Sequence, residues 1–527
     1  MINALRNFYL NSFLYDKKIS KTFNGSLKYK PSTYLLSSIV KIQTKKINID
    51  EFALESVWND NNLDQKQFRK LNNFFWIFSL DLKSSSSSVQ KIIKNWIEVN
   101  HKYNSKSWEF DTTSKRIISW LSNTKLTYDS GTEKYKLEFN LILQKQILHI
   151  INEIKSSNNY NDKLIGIAAV IIFSLSYSNQ EKYLTTSLYY LKKVIQNSLD
   201  KYNFPKSRNI KQSIFFFKYL ILIREWFKES QVLIPEFIDE YIYYLGQSYA
   251  FFWKNIKFDP LFNGNNNSNN EEFDHYLKRL GYSFKNENYE HSDYISLLNK
   301  KINLFMDVGP SPQKKYSNEY QAGALSFEFL YSGKKIFTNS GIYQGNNYKL
   351  HELSRSSAAQ NTLIIDDSSS CKFSKKNNNE FEIKHDLKII KKNIIFEKSY
   401  WKINCAHDGF LKKYNIIHER EIEFYPDNFK LIGVDKIIGK KKLPNLKFDI
   451  RFHLDPLSKV MKTQDSKSIL IEIGDQGWKF NCGNHKIDID NGLYFGKKNT
   501  YKENQNIFIS GIIDSQNNDI KWELTKI

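Results

Sequence analysis

The chain has little of what holds small stapled folds together. Its 527 residues contain three cysteines, Cys371, Cys405 and Cys482, too few for a disulfide scaffold. Glycine (20) and proline (9) are sparse, which excludes collagen-like and low-complexity classes. The most apolar stretch, Leu164 to Leu175, is about half of the roughly 20 residues a membrane span requires. The first ten residues lack an uninterrupted apolar core and a small-residue cleavage site, so no export signal is expected. Phosphate-binding and dinucleotide-binding glycine motifs are missing, as are a CxxC pair and a G-x-S-x-G elbow. His418-Glu-Arg-Glu-Ile does not complete the HExxH zinc pattern. No recognisable nucleic-acid-binding module is present, so nucleic acid is not an expected partner.

What is present is a large apolar inventory. Phe (38), Tyr (32) and Trp (10) bring the aromatic share to 15%, and hydrophobic residues make up 41%. Such a chain folds around a substantial core and is not disordered. Its length suits two large domains or three smaller ones. With 77 basic and 56 acidic side chains the formal charge is +21, which favours polyanionic partners. Abundant Lys, Asn and Ile are also what an AT-rich genome produces, so charge alone identifies no partner.

Two textures divide the chain. In residues 1–300 the apolar period is helical: Val89, Ile92, Ile93, Trp96 and Ile97 share one helix face. The serine run Ser84 to Ser88 offers N-cap oxygens before it, and Asp111-Thr-Thr-Ser offers them before the next helix. Further helices are expected over Leu137 to Ile154, Lys163 to Leu175, Tyr183 to Gln196, Gln212 to Lys228, and Pro235 to Lys254, with Pro235 in the first turn. Residues 301–527 alternate with period two, as in Phe381/Ile383, Phe448/Ile450/Phe452 and Ile469/Ile471/Ile473. Turn residues separate these runs, which reads as an antiparallel sandwich. The expected class is α+β: a helical array or toroid, then a β-sandwich.

The most informative segment is Ser317 to Ser370. It reads as two strands, a turn at Asn339-Ser340-Gly341, a polar loop carrying Tyr343, Tyr348, His351, Arg355 and Gln360, and a strand from Asn361. Such loops on sheet scaffolds are where sites usually lie. Its pattern, Ala322-Gly-x-Leu-Ser-Phe-Glu328, Asn339-Ser-Gly341, then Arg355-Ser-x-Ala-x-Asn-Thr-Leu363, resembles the heparinase II/III-like family of polysaccharide lyases. Arg116-Ile-Ile-Ser-Trp-Leu, Leu261-Phe-Asn-Gly, Met306-Asp-Val-Gly-Pro, Ala406-His-Asp-Gly-Phe and Ile417-His-Glu-Arg resemble the family's bacterial surface-polysaccharide branch.

The resemblance implies an incomplete (α/α) toroid followed by a sandwich, and β-elimination on an acidic, uronate-bearing polysaccharide. That chemistry needs a group to neutralise the carboxylate, a base for the C5 proton and an acid for the leaving O4. It also implies a His/Asp metal site in the sandwich. Here Gln321, Asn339 and Gln360 stand where ligands are expected. Neutral amides are poor zinc ligands, so no metal cofactor is expected. Where the family's lyase Tyr would fall, near Ser207-Arg208-Asn209-Ile210, the best-aligned position is Gln212.

The nominated catalytic residues are therefore Tyr320, His407 and His418, and each is equally readable as a structural aromatic or histidine. The nominated substrate contacts are Arg208, Asn339, Tyr343, Arg355, Gln360 and Asn361. Arg355 suits a uronate carboxylate, or it braces its loop against Asp366 or Asp367. Asn339 and Asn361 also serve as turn formers. Two functions compete: a lyase cutting an anionic glycan, and a catalytically degenerate relative that binds glycan or assists polysaccharide assembly; a glycoside hydrolase is the outsider, for which no pair of carboxylates nominates itself. Convergence of Tyr320, His407, His418 and Arg355 in one cleft would favour the first. The resemblance points to the cell envelope, and the missing export signal to the cytoplasm.

Overall fold

The computed structural model describes residues 2–39, 58, 63–80, 85–268, 270–299, 301–376, 380–439, 445–497, 500–513 and 515–527. The chain divides into two compact units: Met1–Ser198 with Phe215–Tyr244 and His275–Tyr282, and Leu199–Ile214 with Leu245–Asp274 and Ser283–Ile527.

The first unit is helical. Helix Ser86–Asn100 buries Val89, Ile92, Ile93, Trp96 and Ile97, the face its sequence period marks. Ser85 caps it by accepting from Ser88 N–H, whereas Ser84 lies outside the described residues. The next helix, Phe110–Ser122, starts one residue before the expected cap run, with Glu109 at the N-cap. Thr112, Thr113 and Ser114 are buried inside its first turns. Their hydroxyls are satisfied within that turn, Thr112 by the Glu109 carboxylate and Ser114 by the Phe110 carbonyl. Long helices follow over Glu133–Glu153, Tyr160–Ser176 and Glu181–Ser198. Arg116 is wholly buried and gives its donors to Gln146, Asn72, Ser107 and Thr113. Its guanidinium lies 4.0 Å from the Trp96 ring centroid. Neutral oxygens and an aromatic face thus hold this cation, and burial lowers its pKa.

Two further helices, Ile210–Glu229 and Glu236–Tyr249, precede the strands. Pro235 sits just before the second, its carbonyl accepting from Ile238 N–H. Ala250–Lys254 continues it as a π-helical turn.

The strands form antiparallel sheets. A five-stranded sheet runs Glu290–His291, Tyr294–Leu298, Ile302–Asp307, Phe327–Tyr331, Lys334–Phe337. An eight-stranded sheet has Asn517–Lys526, Lys430–Gly439, Ile416–Tyr425 and Trp401–His407 at its centre. A four-stranded sheet pairs Leu446–His453 with Leu363–Ile365 on one side and Lys502–Ile513 on the other. The core lies between sheets: Phe327 stacks on Trp522 at 5.6 Å, and Phe329 meets Trp478 edge-on at 5.6 Å. The alternating residues Phe448, Ile450, Phe452, Ile469, Ile471 and Ile473 all point into it.

Candidate functional site

Four stretches far apart in sequence meet in the second unit. Arg208, 7% exposed, donates to Asp307 Oδ1 at 2.9 Å and to the Pro310 carbonyl at 2.8 Å. Its guanidinium stacks over Tyr294 at 4.7 Å. Burial alone would lower its pKa, but Asp307 more than offsets this and the cation is held firmly charged. Gly309 leaves room for it, since a Cβ there would fall 2.2 Å from the guanidinium. Asn263 donates to the other Asp307 oxygen at 2.8 Å. Gly264 N–H donates to Gln321 Oε1 at 3.2 Å. The motifs around Arg208, Leu261, Met306 and Ala322 are therefore one polar network.

That network carries backbone strain. Arg208, Asn263, Asp293 and Leu325 have φ of 60°, 46°, 61° and 58°, in the left-handed region that favours glycine. Such outliers persist where surrounding bonds over-determine them, and they cluster at functional sites.

Above the network opens a cleft of ≈ 360 Å³, lined by Glu319, Gln344, His351, Arg355 and Glu380 among others. Asn209 donates to Glu319 at 2.5 Å and Gln344 donates to it at 3.1 Å. Lys211 reaches Gln344 Oε1 at 3.5 Å. Arg355 donates from Nη1 to the Tyr320 carbonyl at 3.0 Å and from Nε to His351 Nδ1 at 3.5 Å. Its guanidinium lies over Phe381 at 4.8 Å. No described residue accepts from its Nη2, and neither Asp366 nor Asp367 braces it. Burial lowers the Arg355 pKa to about 10, still cationic at neutral pH. Burial and then Arg355 push His351 down to about 4, so the imidazole is neutral. Because its Nδ1 accepts from Arg355, the hydrogen is assigned to Nε2.

The other nominated residues are not among those that line this cleft. Tyr320 is fully buried in a small cluster with Ala322, Ala324, Cys371, Ile383 and Leu387. Burial raises its pKa well above the usual range. His407 and His418 are directly opposed on neighbouring strands and wholly buried. Gly409 N–H donates to His407 Nδ1 at 3.0 Å, so His407 Nε2 carries the hydrogen toward His418 Nδ1 at 3.2 Å. His418 Nε2 then donates to Asp435 at 2.7 Å. Every bond in this chain is satisfied with both imidazoles neutral. Burial lowers both pKa values; at His407 the neighbouring His418 adds to this, and at His418 Asp435 opposes it.

Asn339 and Asn361 are joined, the Asn361 N–H donating to Asn339 Oδ1 at 2.9 Å. The Asn361 amide continues to the Phe327 carbonyl at 2.8 Å. Tyr343 packs edge-on to Phe495 at 5.7 Å. Gln321 donates to the carbonyls of Gly341 at 3.0 Å and Ser354 at 2.7 Å. Gln360 also points at the Ser354 carbonyl, at 3.5 Å. These amides spend their polar atoms on protein partners, a donor set that does not fit a zinc ion. Among the described residues no group of three His, Cys, Asp or Glu side chains is arranged to hold a metal.

Sequence reading missed Asn209, Asp307 and Glu319. Two of them lie in stretches quoted for the resemblance, which was the available signal, and Glu319 lies one residue before Tyr320.

Residues 284–523 match the family described as Heparinase II/III-like, C-terminal. Over 248 residues the chain is 23% identical to FtsZ-localized protein C of Caulobacter vibrioides, covering 45% of this chain and 42% of that protein. It thus spans less than half the length of that curated relative. A heparan sulfate lyase HepC mutant from Pedobacter heparinus superposes with a TM-score of 0.69 at 10% identity, over 99% of this chain and 88% of that one. A heparinase III structure gives 0.69 at 14% identity, over 100% and 89%. At these identities the likeness shows the fold: an incomplete (α/α) toroid followed by an antiparallel β-sandwich.

Proposed function

Residues 284–523 match the heparinase II/III-like C-terminal family, and on that likeness we propose that the protein binds an acidic, uronate-bearing polysaccharide in the Arg355 cleft without cleaving it. One observation carries the reading. Arg355 keeps its cation beside an open cleft with Nη2 uncommitted among the described residues, while amide and carboxylate groups from Gln344, Asn346 and Glu319 line the same cleft. Guanidinium suits a sugar carboxylate, and the amides and carboxylate suit hydroxyls.

Elimination also needs a base with a free lone pair at the sugar's C5. Tyr320, His407 and His418 are sealed away from solvent. His351, the imidazole that lines the cleft, turns its Nδ1 lone pair to Arg355 and presents Nε2–H, a donor to a sugar oxygen. Neither the nominated bases nor His351 is thus furnished for proton abstraction; the carboxylates that line the cleft, Glu319 and Glu380, are what the double-bond assay tests. No step in this reading uses a metal.

The test uses the full chain on a panel of acidic and neutral glycans, with calorimetry for binding and ultraviolet absorbance for a new C4–C5 double bond. Binding to uronate polymers that Arg355→Ala abolishes, with no double bond formed, is the expected result. Double-bond formation would replace this reading with a lyase. Equal binding to neutral glycans would remove the carboxylate from it.

A further inference from the structure

The N-terminal helices present apolar side chains outward. In α1 (Ile2–Leu10), Leu5 and Phe8 lie three residues apart and are 65% and 80% exposed. In α2 (Phe13–Ile19), Phe13 and Leu14 are 77% and 70% exposed. This is not a frayed end. Ser12 caps α2 by accepting from Tyr15 N–H. Tyr15 and Ile19 are buried on the inner face, and the Tyr15 hydroxyl pairs with His149 Nδ1 at 2.8 Å. Arg6 of α1 pairs with Glu153. The inner face is anchored, so the outer one is held out to solvent.

Cations border it. Lys17, Lys18 and Lys21 are exposed, and Lys18 lies 6.0 Å from the Tyr9 ring. The one acid of the pair, Asp16, faces Lys145 at 2.6 Å. No described carboxylate pairs with Lys17, Lys18 or Lys21.

We propose that α1 and α2 dock the protein on an anionic lipid surface. Phe and Leu beside lysines are the composition of interfacial helices: the apolar groups enter the headgroup boundary and the ammonium groups meet lipid phosphates. A second copy of the chain fits less well, because a two-fold interface here would set lysines against lysines. No described helix is long and apolar enough to cross a membrane, so the contact is peripheral.

The experiment is co-sedimentation of the full chain with vesicles of equimolar phosphatidylcholine and phosphatidylglycerol, against phosphatidylcholine alone. Binding to the anionic vesicles is expected, weakened by high salt. The double variant Phe8→Ser/Phe13→Ser should lower the partition coefficient at least about tenfold. Lys17→Glu/Lys18→Glu should remove the preference for phosphatidylglycerol. All four side chains are exposed, so unchanged circular dichroism is expected and separates lost docking from lost folding. No binding to either vesicle overturns the proposal, as does binding indifferent to both variants. A concentration-dependent dimer that Phe8→Ser/Phe13→Ser abolishes would assign the face to a second copy and overturn it too.

Discussion

Arg420 grips Asp435 with two parallel hydrogen bonds, Nε to Oδ1 at 2.7 Å and Nη2 to Oδ2 at 3.1 Å, and both side chains are wholly buried. The remaining donors of Arg420 reach the carbonyls of Leu325 and Asn361, which tie the eight-stranded sheet to the strand and loop framing the candidate site. Asp435 also takes Trp522 Nε1–H at 2.9 Å. Burial would raise the Asp435 pKa, but Arg420 and His418 overcome it and hold the carboxyl well below the usual range.

Asp435→Asn should therefore destabilise the fold strongly. It removes the counter-charge of Arg420 and leaves a donor amide facing other donors. Breaking a buried pair on one side costs roughly 3–5 kcal/mol. Urea unfolding of the variant checks this, and a loss under about 1 kcal/mol would show that the pair is not the anchor described.

Acid should unfold the protein through its histidines. His407 and His418 have lowered pKa values, and burial pushes His149 to about 3 and both His291 and His453 to about 4, from an ordinary value of 6.5. The unfolded chain takes up these protons near pH 6.5 and the folded chain does not. Stability is thus full above that pH and falls as pH drops below it. Each such group contributes a slope of up to about 1.4 kcal/mol per pH unit. Unfolding midpoints at neutral pH and near pH 5 should differ sharply, and a flat profile would contradict neutral buried imidazoles.

Gln321→Glu tests the amide that stands where the family resemblance implies a metal ligand. The substitution keeps the acceptor for Gly264 N–H but turns a carboxylate oxygen toward the Gly341 and Ser354 carbonyls. Losing both donors should cost roughly 1–3 kcal/mol. Thermal unfolding with and without added zinc reads it; rescue by zinc would mean that the pocket does accept a metal.

Arg355→Lys should weaken uronate binding while the fold survives. Lysine keeps the charge but lacks the planar fork. A charge-assisted bond is worth about 1.5–3 kcal/mol, so an affinity loss of about tenfold or more is expected by calorimetry, with no change for a neutral glycan.

The amino-acid order alone determined the alternation of textures. Helical period in Val89 to Ile97 and period two in Phe448 to Phe452 follow from local backbone geometry, which places residues three or four apart, or two apart, on one face. The same local signal could not tell that Thr112 and Ser114 lie within a helix, because hydroxyls that cap can also bond back into a turn. Nor could it tell which candidate residues meet. His407 and His418 face each other because the register pairs them across two strands, and that register buries both. Arg208 meets Asp307, and Asn209 meets Glu319, across 99 and 110 residues. Loop residues follow no period, and such long-range meetings depend on how the strands and loops pack. Tertiary structure alone therefore decided that Arg355 lines an open cleft while the side chain of Tyr320, whose carbonyl Arg355 holds directly, is buried.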